Sequence, residues 1–146
     1  MPNLEEALSD QLHNLKHLQL LLESELHLIS SRDAESLMNL LDEKQTTLDA
    51  IQATDDQISA LYAELGDPET AKKKLSKEAS DMLDEATQLL EQCRFRTSVN
   101  QKAVEQGQLK LEHLRHLLLE TRAKESLTYD RSGKPQGGSK GKGISA

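Results

Sequence analysis

The first thirty residues carry an apolar stripe at helical spacing. Apolar side chains recur every three or four residues, at Leu4, Leu8, Leu12, Leu15, Leu18, Leu22, Leu26 and Ile29. This spacing places them on one face of an α-helix, close to the heptad seam of a coiled coil. The chain holds 27 leucines but only four isoleucines and two valines, so residues that favour strands are scarce. An all-α protein is expected.

Two interruptions divide the periodic sequence into helices. The run Ser30-Ser31-Arg32-Asp33 contains preferred N-cap residues and predicts the start of a second helix. Gly66 follows the last periodic residue of that helix and predicts a C-terminal cap. Asp67-Pro68-Glu69 is typical of an N-cap, a proline in the first helical position and a first-turn acid. A third helical segment is therefore expected from Pro68.

The third segment, residues 68–127, leaves two alternatives. Its apolar pattern weakens between Arg94 and Ser98 and then resumes. The segment is either one helix longer than its partners or two helices, with a break near Arg94–Ser98 or at Gly107. Residues 1–129 are predicted to form an antiparallel bundle of three to four long helices with coiled-coil-like packing. Residues 130–146, rich in Gly, Lys and Ser, are predicted to form a flexible, disordered tail, because they cannot bury enough apolar surface.

Charge and hydropathy narrow the classes of partner. The net charge is −7, and the tail carries most of its charge as Lys and Arg, so the rest of the chain is more acidic still. An acidic body repels phosphate, which disfavours nucleic-acid binding. The N-terminus lacks the basic and apolar regions of a secretory signal, and no apolar run could span a bilayer. We expect a cytoplasmic protein without membrane insertion.

Candidate catalytic or metal-binding residues are few. His13 and His17 are four residues apart, and His113 and His116 are three apart, but neither pair has a third ligand in a zinc-binding motif. Cys93 is the single cysteine and is expected to be a small core residue. The sequence has no glycine-rich phosphate loop. We therefore expect no enzyme activity, no metal site and no cofactor.

The last predicted helix has more leucine than one neighbour can cover. Leu117, Leu118 and Leu119 are consecutive, and at about 100° per residue they span about 200° of the helix surface, against the roughly 100° that a surface helix buries. One interpretation is a helix buried on two sides in a four-helix arrangement. The other is an exposed surface that receives an amphipathic partner helix or a second subunit.

Three parts of the sequence resemble the FlgN family of flagellar export chaperones. The resemblance extends over residues 4–133. Asn100, followed by Ala103-Val104, is similar to the family's asparagine early in the last helix, and Tyr129 with Gly133 is similar to its Tyr-x-x-x-Gly after that helix. The N-terminal pattern consists of Glu25, Leu28, Asp33, Leu37, Leu40, Lys44, Leu48 and Ile51.

This resemblance implies a specific function. Such chaperones are cytoplasmic, hold the C-terminal helical segments of the hook-filament junction proteins FlgK and FlgL, prevent their premature assembly and deliver them to the export apparatus. The last helix is the implied cargo-binding surface. Its residues here are Val104, Leu111, Leu114, Leu117 and Leu118. Tyr129 is the implied contact with the export gate protein FlhA.

Two alternatives stay open at this point, and a third is disfavoured by the spacing of its ligands. The chain could be a chaperone for another type III export cargo. It could be a structural, homodimeric coiled-coil adaptor in which the additional leucines form the dimer seam. A di-iron bundle enzyme would need two Glu-x-x-His pairs, and Glu112 with His113 and His116 does not supply that spacing.

Overall fold

The computed structural model describes residues 3–131, and the side chains of residues 3–122. These residues form four helices joined by short connections, which confirms the all-α prediction. The helices are α1 (Leu4–Ser31), α2 (Ala34–Glu64), α3 (Pro68–Lys74) and α4 (Lys77–Arg131). The predicted tail begins at residue 130, but residues 130 and 131 belong to α4. Residues 132–146 lie outside the described residues, so the tail stays a prediction.

The connection between α1 and α2 follows the predicted interruption. Arg32 ends α1 in the left-handed conformation, with φ 58°, and its backbone N–H donates to the carbonyl of Ile29. The side chain of Asp33 then accepts a hydrogen bond from the Ser36 backbone N–H at 3.1 Å. This bond holds the pKa of the Asp33 carboxyl below its usual value. The predicted start of α2 is confirmed.

The connection between α2 and α3 also matches its sequence signals. Gly66 has a φ of 122°, a backbone conformation that glycine adopts readily and other residues rarely adopt. A Cβ added there would lie 3.2 Å from Thr70 Cγ2. Asp67 accepts a hydrogen bond from the Thr70 backbone N–H at 2.8 Å, and Pro68 is the first residue of α3. Hydrogen bonding to the Thr70 side chain, and then to its backbone N–H, lowers the pKa of the Asp67 carboxyl. The predicted turn is confirmed.

The sequence left open whether residues 68–127 form one helix or two; they form two, but the break lies at neither of the two candidate positions. Neither Arg94–Ser98 nor Gly107 interrupts α4. The chain leaves the helix at Leu75 instead, where ψ is 135°, and Ser76 caps the new helix by accepting the Ala79 N–H at 3.1 Å. The sequence signal for this break is the run of three lysines in the last turn of α3 with Ser76 two residues later. Cations are favourable at a helix C-terminus, and serine is favoured as an N-cap.

Residues 3–103 form one compact unit in which α1 is antiparallel to α2 and parallel to the first part of α4. The antiparallel pair is fixed by contacts whose residue numbers rise in α1 and fall in α2, namely Gln11–Ile51 and Glu25–Lys44. In α4, by contrast, the numbers rise together. Lys16 pairs with Glu85 and Glu23 with Arg96, and Glu5 contacts Ser76, the residue just before α4. The three long helices therefore run up, down and up, which confirms the helical bundle.

The core of this unit is the predicted leucine seam of α1. Leu8 and Leu22 are almost completely buried. Leu12 and Leu15 pack against Leu89 of α4 in one cluster. Leu18 and Leu22 pack against Cys93 of α4 in a second cluster. Ile51 of α2 contacts both clusters, so a single side chain connects them.

A buried polar cluster joins the same three helices. It consists of Glu25 in α1, Lys44 in α2 and Asn100 in α4. Lys44 Nζ lies 3.0 Å from Glu25 Oε2, and Asn100 Nδ2 donates to Glu25 Oε1 at 2.6 Å and to the Leu22 carbonyl at 2.9 Å. Glu25 and Asn100 are only 5% and 4% exposed. Each carboxylate oxygen thus has its own donor, which compensates the loss of water.

Replacing Lys44 by methionine should destabilise the bundle strongly. The substitution leaves the Glu25 carboxylate buried without its cation, which costs about 3 kcal/mol in the free energy of unfolding. Urea unfolding followed by circular dichroism measures this loss. The matched control is Lys16→Met, which breaks the exposed Lys16–Glu85 pair and should cost less than about 1 kcal/mol. Equal losses in the two variants would contradict a special role for the buried cluster.

Candidate functional site

The segment of α4 from residue 104 to 122 carries an exposed apolar face. We call Val104, Leu111, Leu114 and Leu118 the leucine face. Their spacings of seven, three and four residues place them on one side of the helix. They are 42%, 54%, 53% and 57% exposed, respectively. The structure therefore differs from the alternative of a helix buried on two sides.

The predicted cargo-binding residues do not all share that face. At about 100° per residue, Leu117 lies about 60° from Leu114 around the helix and so borders the leucine face. It too is exposed. Leu109, which was not predicted as a site residue, is also exposed but faces a different side of the helix. Four of the five predicted residues thus lie on one side of the helix, and the fifth, Leu117, widens that face.

Gly107 interrupts the leucine face between Val104 and Leu111. A Cβ added at Gly107 would meet no atom within 4 Å, so the glycine is not required by any packing contact in the described structure. Glycine within a helix costs roughly 0.5–1 kcal/mol relative to alanine. Because glycine has no side chain, Gly107 leaves a notch between the larger apolar side chains of the leucine face.

The predicted contact with the export gate lies at the end of α4. Tyr129 belongs to this helix, but its side chain lies outside the described residues. Its role stays a prediction from the family resemblance.

The histidines and the cysteine have ordinary structural surroundings. His17 contacts Glu43 and His116 contacts Glu120, each at 3.1 Å. Among residues 3–122, no three His, Cys, Asp or Glu side chains converge as a metal site would require. Cys93 is buried, and its Sγ lies 3.7 Å from the Leu15 carbonyl. Burial raises the pKa of the Cys93 thiol, which favours the unreactive protonated form.

A second exposed feature was missed by the sequence analysis. Phe95 is 70% exposed, within the stretch where the apolar pattern weakens. It borders an open groove of about 590 Å³ between α1 and α4. The lining residues are Gln19, Gln88, Glu91, Gln92, Phe95 and Arg96. Within this lining Gln19 donates a hydrogen bond to Gln92, and Arg96 pairs with Glu23. An aromatic outside the stripe was the available signal.

The Cys93 thiol should react slowly with an aromatic disulfide reagent in the folded protein. Because burial raises the pKa of the thiol, less thiolate should form at pH 8 than for an exposed cysteine, and reaction should accelerate when urea unfolds the chain. Absorbance of the released thiol product measures the rate. The control is Cys93→Ser combined with Ser80→Cys, which places one thiol at an exposed position of the same helix. Equal native rates in the two proteins would contradict the buried, protonated thiol.

Comparison with known proteins identifies the family. Among the described residues, no helix has a stretch long and apolar enough to cross a bilayer. Neither a curated protein nor a solved structure matches the chain. A family model described as FlgN protein matches residues 1–137, nearly the whole chain. The chain therefore belongs to the FlgN family of flagellar export chaperones.

Proposed function

We propose that this chain is a cytoplasmic chaperone for the hook-associated proteins FlgK and FlgL. It binds their C-terminal helical segments on the leucine face of α4, prevents their premature assembly and delivers them to the export apparatus. Family membership supports the general role in flagellar export. The exposure of Val104, Leu111, Leu114 and Leu118 is the observation that carries the assignment of the surface.

The leucine face suits an amphipathic helix as ligand. Helical ligands present apolar anchors at spacings of three, four and seven residues, which match the spacing of this face. Covering a half-exposed leucine stabilises a complex by about 1 kcal/mol per side chain, at about 25 cal/mol per Å² of apolar area removed from water. The three leucines and the valine of this face, together with Leu117, provide several kcal/mol in total. The same contact covers the cargo's own apolar stripe, which would otherwise associate early.

Size-exclusion chromatography with light scattering tests the proposal first. We would compare the protein alone with the protein mixed with C-terminal segments of FlgK and FlgL. A stoichiometric complex supports the chaperone function. A stable homodimer without affinity for these segments would favour the adaptor alternative. Binding to a different flagellar or type III substrate in a pull-down would favour the other chaperone alternative.

Replacing Leu114 and Leu118 together by aspartate should abolish cargo binding without unfolding the chain. Both side chains are more than half exposed, so the charges stay in water in the free protein but would be buried in the complex. We expect at least about a 100-fold weaker affinity by calorimetry, equivalent to about 2.7 kcal/mol. Circular dichroism and urea unfolding should stay near wild type.

The matched control for this variant is Leu20→Asp. Leu20 is 61% exposed on α1 and lies outside the leucine face. Its replacement should leave both the unfolding midpoint and cargo affinity unchanged. If the double variant unfolds, the two leucines belong to a core. If it folds and binds normally, the cargo surface lies elsewhere.

Tyr129→Ala should separate delivery from cargo binding. Tyrosine is a frequent energetic anchor at interfaces, because it combines a large apolar ring with a polar tip. We expect unchanged affinity for the FlgK and FlgL segments, weaker binding to the cytoplasmic domain of FlhA, and reduced export. Tyr129→Phe, which keeps the ring, is the control and should retain most of the activity. Normal export by Tyr129→Ala would refute this role.

A further inference from the structure

The leucine face is bordered by basic residues. Taking about 100° per residue, Arg115 and Arg122 lie within about 60° of the centre of the face, on one side, and Lys110 lies about 80° away on the other. All three are exposed. Among the described residues, neither Lys110 nor Arg115 has a carboxylate within ion-pair distance.

The acidic residues of the same segment lie on the opposite side. By the same spacing, Glu105, Glu112 and Glu120 are about 120° or more from the centre of the leucine face. Glu120 already contacts His116. The segment from 104 to 122 thus has equal numbers of acidic and Lys or Arg residues, but they are separated onto two faces. A ligand on the leucine face meets only the cations at close range.

We propose that the ligand of the leucine face is an amphipathic helix whose apolar stripe is flanked by aspartate or glutamate on both sides. A large apolar side chain of that helix packs over the notch at Gly107. This inference deepens the proposed cargo-binding function and rests on it for the place of binding. Acidic flanks pair with Lys110 on one side and with Arg115 and Arg122 on the other.

The net charge of the chain predicts a preference for basic ligands, which is the opposite of the preference inferred from the leucine face. The two explanations can therefore be distinguished by experiment. With a net charge of −7, the protein as a whole attracts basic ligands. At physiological ionic strength, however, charges beyond about 8 Å are largely screened. The cations beside the leucine face are within contact range of a bound helix, so their local sign determines the flank charges of the ligand.

The same borders disfavour a second copy of this chain as the occupant. Two leucine faces packed together would bring Lys110 and Arg115 of one copy close to the same basic borders of the other. Like charges at adjacent positions across a helix pair destabilise it. A foreign helix with acidic flanks has no such repulsion.

Two designed peptides test the inference with the full-length protein. Each has three heptads, about 21 residues, with the same leucine stripe. One has glutamate and the other lysine at all positions that flank the stripe. Fluorescence anisotropy should show about tenfold or tighter binding of the glutamate peptide in 50 mM salt, and a smaller difference in 500 mM salt. Equal binding, preference for lysine, or no binding of either peptide would overturn the inference.

Charge variants locate the effect. Lys110→Gln with Arg115→Gln should remove most of the preference for the glutamate peptide. The matched control is Arg94→Gln with Lys102→Gln, which changes the net charge equally at exposed positions of α4 that are not part of the leucine face. The control should keep the preference. A loss of preference in the control alone, or equally in both, would mean that long-range charge, and not the borders, selects the ligand.

Gly107→Ala tests the notch. Because the added Cβ meets nothing in the free protein, the substitution should raise helical stability. It should also lower the affinity for the glutamate peptide several-fold, because the large apolar side chain of the peptide no longer fits over residue 107. Tighter or unchanged binding would refute the notch.

If the FlgK and FlgL segments fail to bind while the glutamate peptide binds the leucine face, the proposed cargo is wrong and the inferred ligand chemistry stands.

Discussion

The buried carboxylate of Glu25 is the constraint on which the arrangement of the helices depends. A leucine seam alone tolerates a shift by one heptad, because the same residue type recurs at the same spacing. Glu25 removes this freedom. Its two oxygens are bound by Lys44 of α2 and Asn100 of α4, so any shift would leave an unpaired charge in the core, at a cost of several kcal/mol. One side chain therefore fixes two helix registers at once.

This cluster also shows where sequence reasoning succeeded and where it stopped. Glu25, Lys44 and Asn100 are among the residues that carry the family resemblance. In the periodic pattern, however, Lys44 only interrupts an apolar stripe, and nothing in the spacing shows that residues 19 and 75 positions from Glu25 are its partners. The caps at Asp33 and Asp67 were predictable because each depends on a bond three residues away. The break at Leu75 was missed because its cap is a single serine, without glycine or proline.

The exposed face of α4 illustrates the same limit at the candidate site. Leucines of α1 and leucines between residues 104 and 122 recur at similar helical spacing, yet the first are mostly buried and the second are mostly exposed. The difference depends on helix lengths. α1 and α2 have 28 and 31 residues, whereas α4 has 55. Helices of 28 and 31 residues are too short to cover a helix of 55 residues over its whole length, and the sequence alone left the length of the last helix open.

A chaperone that keeps such a face exposed must avoid associating with itself. Covering the leucine face with one of its own helices would stabilise the free protein, but it would remove the surface for the ligand. Basic borders offer a different solution, because they repel a second copy and attract a ligand with acidic flanks. Apolar burial then provides the affinity but does not discriminate between helices with an apolar stripe, whereas Lys110 and Arg115 provide the selectivity. The charge separation within one helix thus allows an exposed apolar surface in an acidic protein.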